Sequence, residues 1–297
     1  MNNFMEYFYN IKVDKIIYSD KYYSFMYKGY IYKLYIYDGY SNIELLQELN
    51  NKLVKVTLLS EIIYNRNNEI ISTYNGINYI LLKIYINTLK NISLSEISFL
   101  TNTLYKEKIR VNWGILWSKK IDYLEELISE NGKKYPIIVD SFNYFVGLAE
   151  NAISYYNGIL IDNDYKYGVS HKRIRINDSV EVLYNPLNIT FDYRVRDVSE
   201  YIKNAFFNDN INIFVDVKEY LDNSNLSLME VKLLVARMLY PSFYFDMYED
   251  ILIDEKEEKI IMDVVVKLDD YEKYLGKMIS FLKKYYDIEE VLWLKKE

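Results

Sequence analysis

The chain holds a single imidazole, His171, and no thiol. A cysteine nucleophile, a thiolate metal centre and a disulfide scaffold are therefore excluded, as is a zinc site built from several histidines. A Ser-His-Asp arrangement keeps one candidate base. Around and after that histidine runs "SHKRIRINDSVEVLYNPLNITFDYRVRDVSEYIKN", Ser170 to Asn204, in which Asp178, Asn188, Asp192 and Asp197 can accept hydrogen bonds or bind cations. Arg173 stands two positions after the histidine, and its guanidinium stays protonated at any working pH and offers no acceptor, so it cannot act as a base. A second pair lies upstream: Lys33 on an expected strand and Glu48 fifteen residues later on an expected helix, a spacing that suits a Lys–Glu ion pair. The bland alternative is a solvated strand lysine and an exposed helix glutamate.

Charge narrows the partners. The 36 basic and 43 acidic residues leave a formal charge of -7, which argues against a nucleic-acid binder working through bulk electrostatics. The opening "MNNFMEYFYNIKVDK" has Glu6 and no basic residue ahead of a long apolar run, unlike a secretory signal. No stretch approaches the ~20 uninterrupted apolar residues of a membrane span, and even "YILLKIYI" carries Lys83. These features lead us to expect synthesis in a cytoplasm and no membrane span.

The elements that must position these groups follow from periodicity. Residues 11–37 alternate aromatic and β-branched side chains, with turns expected at Ser19-Asp20-Lys21 and Lys28-Gly29, which predicts about three strands. "SNIELLQELNNKL" switches to a helical period, with Ser41 as N-cap and Ile43, Leu45, Leu46, Leu49 and Leu53 on one face. "LSEIIYN", "IISTYNG" and "INYILLKIYI" complete a β-rich region, and a change of architecture is expected near residue 90. Helical patterns then dominate. Ser93 or Ser95 caps one helix, and "SFNYFVGLAENAISYYNG" places Phe142, Phe145, Val146, Ala149, Ala152, Ile153 and Tyr156 at helical steps. Pro241 breaks or kinks a later helix, and "YEKYLGKMISFLKKYYDIEEVLWL" is predicted helical. The expected domains are a small β-rich lobe with one helix at 1–88 and a helical lobe at 89–297.

Four blocks carry a resemblance: "KYPIIVDSFNYFVGLAENAISYY", "SHKRI", "FDYRVRDVSEYIKNAFF" and "LSLMEVKLLVARMLYPSFYFDMYED". In order and spacing they resemble the spore-coat kinase-like proteins of the CotS/YutH type, in the aminoglycoside-phosphotransferase-like branch of the protein-kinase-like fold. The resemblance covers about two thirds of the chain, the small lobe matching in layout alone. It implies an α+β, two-lobed fold, with a small antiparallel β lobe and one helix joined to a larger, mainly helical lobe.

It also implies what each residue should do. Related phosphotransferases read His-Gly-Asp in the catalytic loop; here His171 keeps the histidine, Lys172 replaces the glycine and Arg173 replaces the general base. Asp178 falls at the position of a metal-binding Asn, with a turn residue as its bland reading. Asn188 falls at the second metal carboxylate, with Asp192 as a displaced candidate, and a neutral amide anchors a magnesium-nucleotide poorly. Lys33 and Glu48 would hold nucleotide phosphates. The first turn, "SDKYY", lacks the glycine that a phosphate-covering loop needs. His171 and Asp197 match structural positions, Asp197 being expected to hold the loop at 170–173. Only 26 positions separate the two, which suggests a trimmed hairpin strand.

The leading expectation is thus a catalytically inactive pseudokinase, a structural or binding component of the bacterial spore coat that partners other coat proteins and needs no cofactor. The alternative is an active small-molecule phosphotransferase using magnesium-ATP, with Asp178 or Asp192 as relocated base. A nucleotide-regulated switch without transfer lies between them.

Overall fold

The computed structural model describes residues 1–294 apart from 20–21, 38, 40–42, 57–58, 86–90, 107–110, 176, 211 and 254–255. The chain divides into two compact units: Met1–Ile92 with His171–Thr190, and Ser93–Ser170 with Phe191–Glu297.

The first unit contains α1 (Asn2–Tyr9), β1 (Ile17–Ser19), β2 (Tyr22–Tyr27), β3 (Tyr30–Ile36), α2 (Ile43–Val56), β4 (Ser60–Ile63), β5 (Ile71–Tyr74) and β6 (Ile77–Ile84). The strands form one antiparallel sheet in the order β1-β2-β3-β6-β4, with β5 also paired to β6. Two of its turns are written in the sequence. Lys28 (φ 49°) with Gly29 (φ 81°), and Asn75 (φ 50°) with Gly76 (φ 78°), each give two successive left-handed residues between directly paired strand ends. Such turns match the natural twist of a hairpin.

β6 is the centre of this sheet, and its apolar run is buried on both faces. Leu81 and Tyr79 pack with Leu34, Tyr32 and Phe25 against Phe4 and Met5 of α1. Ile80 and Leu82 pack with Ile62 and Ile70 against Leu46 of α2. Two helices therefore cover the sheet where the sequence led us to expect one. The missed helix, α1, is only eight residues long, and its apolar face becomes a core element only once the sheet is there to receive it. The expected cap Ser41 lies outside the described residues.

The second unit contains α3 (Leu94–Thr103), β7 (Tyr105–Lys106), α4 (Trp113–Asn131), α5 (Pro136–Asn157), most of β8 (Tyr167–His171), the end of β9 (Ile189–Asp192), α6 (Arg196–Phe207), α7 (Ile213–Ser224), α8 (Leu228–Leu239), α9 (Ser242–Ile253), α10 (Met262–Val266) and α11 (Leu268–Leu282). β7, β8 and β9 form a three-stranded sheet in that order. Ser93 and Ser227 each close a capping box with a glutamate three residues on, which fixes the starts of α3 and α8. Pro241 separates α8 from α9. Phe142, Phe145, Ala149, Ala152 and Tyr156 of α5 are buried as their spacing predicts, whereas Val146 and Ile153 are half-buried and Leu148 takes a core position. The last expected helix stops at Leu282, and only a short 3-10 turn at Leu292–Leu294 follows.

The boundary expected at 88/89 falls among undescribed residues; the division lies between Ile92 and Ser93. The continuous span 89–297 also needs correction, because His171–Thr190 belongs to the unit of the large sheet. The reason is a set of long-range bonds. The Ser60 hydroxyl donates to the Tyr184 carbonyl, Ile92 N–H donates to the Asp178 carbonyl at 3.2 Å, and Leu187 packs on the Ile80–Leu82 cluster.

Candidate functional site

β8 delivers His171 fully into the protein, with only 2% of its surface exposed. Its Nε2 lies 2.9 Å from the Leu183 carbonyl, which can only accept, so Nε2–H donates there. The next residues are braced by Asn188. Lys172 N–H donates to the Asn188 carbonyl at 2.7 Å, Arg173 N–H donates to Asn188 Oδ1 at 3.3 Å, and Asn188 Nδ2 donates to the Arg173 carbonyl at 2.9 Å. The amide expected as a metal ligand is thus engaged with the backbone on both its donor and its acceptor side. Arg173 and Arg175 are exposed while Ile174 between them is buried.

Asp178 has its carboxylate on the N–H of Arg175, at 2.7 Å, while its own N–H donates to the Arg175 carbonyl at 2.9 Å. Burial raises its pKa, against the opposing pull of the Arg175 amide and the nearby Arg175 and Arg173 charges. It closes a turn. Between β8 and β9 the described residues form 3-10 turns at Val180–Val182 and Pro186–Asn188 and no strand, in keeping with the short spacing.

The expected pairing of Lys33 with Glu48 needs correction. Lys33, on β3 opposite Leu82, is ion-paired with Glu181 of the first of these 3-10 turns, and its Nζ also lies 4.6 Å from the centre of the Tyr22 ring. Glu48 is exposed and pairs with Lys52 one helical turn away at 2.7 Å. The fifteen-residue spacing reported a plausible local pair; a partner 148 residues distant supplied the charge instead. On the opposite side of the expected phosphate loop, Ser19 pairs with Tyr22, and the two residues between them, Asp20 and Lys21, lie outside the described residues.

In the second unit Asp192 closes β9 and is 4% exposed. Its Oδ1 accepts from the Trp113 indole at 3.0 Å and from the Tyr193 N–H at 2.7 Å, and its Oδ2 accepts from the Arg196 guanidinium at 2.7 Å. Asp197, in the first turn of α6, is buried at 1% exposure, where a carboxylate interacts favourably with the helix dipole. Beside them Arg194 forms a two-point ion pair with Glu230, at 2.6 and 2.8 Å. Further along α6, Glu200 accepts from buried Lys203 at 2.9 Å and from Arg237 at 2.7 Å. Burial opposes the Glu200 charge most strongly, yet Lys203, Arg237 and their hydrogen bonds outweigh it and bring the carboxyl down to about 2. Burial pushes Lys203 down to about 8 despite Glu200.

Sequence reasoning missed Glu181, Trp113 and Arg196. Arg196 alone left a signal, since it stands four residues after Asp192 and next to the expected Asp197. Among the described residues, no three or more acidic or histidine side chains gather closely enough to hold a metal ion. No described helix is long and apolar enough to cross a membrane.

Known proteins supply the context. The signature of the family described as "Spore coat putative kinase YutH" matches residues 2–285. The endospore coat-associated protein YutH of Bacillus subtilis (strain 168) is 31% identical over 163 residues, an alignment spanning 50% of this chain and about half, 48%, of that protein. An aminoglycoside phosphotransferase from Alicyclobacillus acidocaldarius superposes with a TM-score of 0.68 at 8% identity, over 92% of this chain and 93% of the other. Spectinomycin phosphotransferase APH(9)-Ia, solved with ADP and spectinomycin, gives 0.59 at 12% identity over 99% and 95% of the two chains. At such identities these structures establish the fold: a kinase-like α+β fold with an antiparallel-sheet lobe and a larger helical lobe.

Proposed function

The chain belongs to the spore-coat kinase-like YutH family, and from that premise we propose that it is a catalytically inactive member, a pseudokinase that serves as a structural or binding component of the spore coat. The observation that carries this reading is the state of Asp192. This carboxylate, the displaced candidate for the second metal ligand, is already shared between an indole N–H, a backbone N–H and a guanidinium. A magnesium ion at that carboxylate would have to displace a partly buried ion pair. Arg173 supports the same reading, because a permanent cation stands where the resemblance implies a base. Lys33 and Asn188 are likewise engaged within the chain. The residues present do not fit a magnesium-nucleotide.

What remains ordered is scaffold: His171, Asn188 and Asp197 are buried or bonded to backbone where a kinase-like fold needs support. The relative in Bacillus subtilis is named as coat-associated, which supports deposition in the coat; synthesis in the cytoplasm and contacts with other coat proteins are part of the same proposal. The decisive test is a thermal-shift titration with magnesium-ATP alongside an ATP-turnover assay. A ligand at a hundredfold its Kd stabilises by roughly 2.7 kcal/mol, so a flat response to millimolar nucleotide with no phosphate release is expected. Turnover lost in Asp178→Ala or Asp192→Ala would replace this reading with an active phosphotransferase.

A further inference from the structure

Two helices of the second unit, α11 and α4, display surfaces of opposite charge. α11, α7 and the 3-10 turn at Leu292–Leu294 enclose a cleft of about 530 Å³. Its apolar wall includes Phe214 of α7, set edge-on to Phe281 of α11 with ring centroids 5.5 Å apart, and Leu294, whose carbonyl oxygen would lie 3.5 Å from a Cβ added at Gly276. Four lysines and one glutamate line the cleft, in a chain whose net charge is -7. Lys283 is bonded to Glu290 at 2.8 Å and Lys273 to Asp270 at 3.1 Å, whereas Lys277 and Lys284 form no salt bridge among the described residues. An apolar wall is thus combined with exposed positive charge.

α4 carries the complement. Residues 121–131 contain Asp122, Glu125, Glu126 and Glu130, all exposed, and no basic residue. Ile115, Leu116 and Tyr123 of the same helix are 54%, 56% and 40% exposed. Leu116, Tyr123 and Glu130 follow one another at seven-residue steps, and Glu126 and Glu130 at a four-residue step, so apolar and acidic groups share one face. α4 packs on α5 and accepts the Tyr248 hydroxyl of α9 at the Leu124 carbonyl, whereas α11 is tied to α8 and α6 by the hydroxyls of Tyr271 and Tyr274. The two surfaces therefore lie on different sides of the unit, each open to a neighbour. We propose that the α11 cleft receives the acidic face of α4 from a second copy of the chain, joining copies head to tail. The step from Glu126 to Glu130 equals that from Lys277 to Lys273, about 6 Å along each helix, so antiparallel helices align both carboxylate–ammonium pairs. The same register sets Tyr123 level with Ser280, which lines the cleft. Apolar burial supplies affinity, and the charges select partner and orientation. Because the two contacting surfaces differ, every copy keeps one of each to offer, and the contact propagates into a ring or an open chain. Such an assembly is independent of whether the fold turns over nucleotide.

The test is sedimentation velocity of the full chain. The sedimentation coefficient of wild type is expected to rise with protein concentration up to about 100 µM in about 25 mM salt, and to return toward that of the monomer in about 500 mM salt. Lys277→Glu/Lys284→Glu and Glu126→Lys/Glu130→Lys should each stay monomeric. An equimolar mixture of the two should associate again, because each retains the surface that the other has lost. Glu126→Gln/Glu130→Gln, which removes charge without reversing it, should raise the Kd about tenfold and keeps the test decisive where a reversal fails to fold, with circular dichroism as the check on folding. Wild type that stays monomeric at low salt overturns the proposal and leaves the cleft to another partner. Association that survives both folded reversals overturns it as well, as does a mixture of the two that stays monomeric.

Discussion

Trp113 and Asp192, 79 residues apart, are joined by an indole N–H donating to a carboxylate at 3.0 Å, both side chains being buried. The bond ties the start of α4 to the end of β9, and Arg196 completes the pair from the first residue of α6. A residue type associated with metal binding is here a junction between three elements.

That junction predicts a stability effect graded by what is removed. Asp192→Asn retains an acceptor for the indole and loses the ion pair, at a cost of about 1–3 kcal/mol. Asp192→Ala leaves Trp113 and Arg196 without their shared acceptor and should cost about 3–5 kcal/mol. Denaturant unfolding checks the order, and an unchanged midpoint in both variants would remove the junction role.

Arg173→Asp should restore a carboxylate without creating a phosphotransferase. Lys33 remains on Glu181 and Asp192 on Arg196, and positioning with metal electrostatics supplies most of the rate in phosphoryl transfer. The expected outcome is no phosphate release above wild type across a panel of aminoglycosides and small alcohols with magnesium-ATP.

Phe145 lies at the centre of the second unit, fully buried and stacked on Tyr244 with ring centroids 3.6 Å apart. Phe145→Ala should therefore cost about 3–5 kcal/mol. Loss of the stacked partner should also change the near-ultraviolet circular dichroism of the tyrosines, which provides an independent check on the site of the change.

Glu200 gives the protein a defined acid response. Its carboxyl is lowered from an ordinary 4.5 to about 2, so the ionised form is favoured by folding. Its stabilisation is full above about 4.5 and is lost as the pH falls through about 2, with a total on the order of 3 kcal/mol. Glu200→Gln should be less stable than wild type at pH 6, and the gap should close as the pH approaches 2. Lys203 works in the opposite region: with its pKa lowered to about 8, the unfolded state holds more protons above that value, so this group makes stability rise with pH from about 8 to its ordinary 10.5. Unfolding midpoints of both proteins between pH 2 and 6 test the first window.

The sequence by itself determined the elements whose cause is local. The Lys28-Gly29 and Asn75-Gly76 turns, the Ser93 and Ser227 caps, the two-sided apolar run of β6 and the helical steps of α5 each follow from backbone preference or periodicity within a few residues. The position of Arg173 after the single histidine was likewise legible, because chemical type requires no fold to interpret. Tertiary structure alone decided which groups meet. Lys33 chose Glu181 over Glu48, Asn188 turned to the Arg173 backbone, and Asp192 took Trp113 and Arg196, because a buried charge or amide pairs with whatever the packed chain brings within reach. The same contacts placed His171–Thr190 in the unit of the large sheet, which a boundary drawn along the sequence could not express. Local preference fixes φ and ψ over one or two turns, whereas the partner of a buried polar group is whatever the closed chain brings within reach, which can lie far along it, as with Lys33 and Glu181 at a separation of 148.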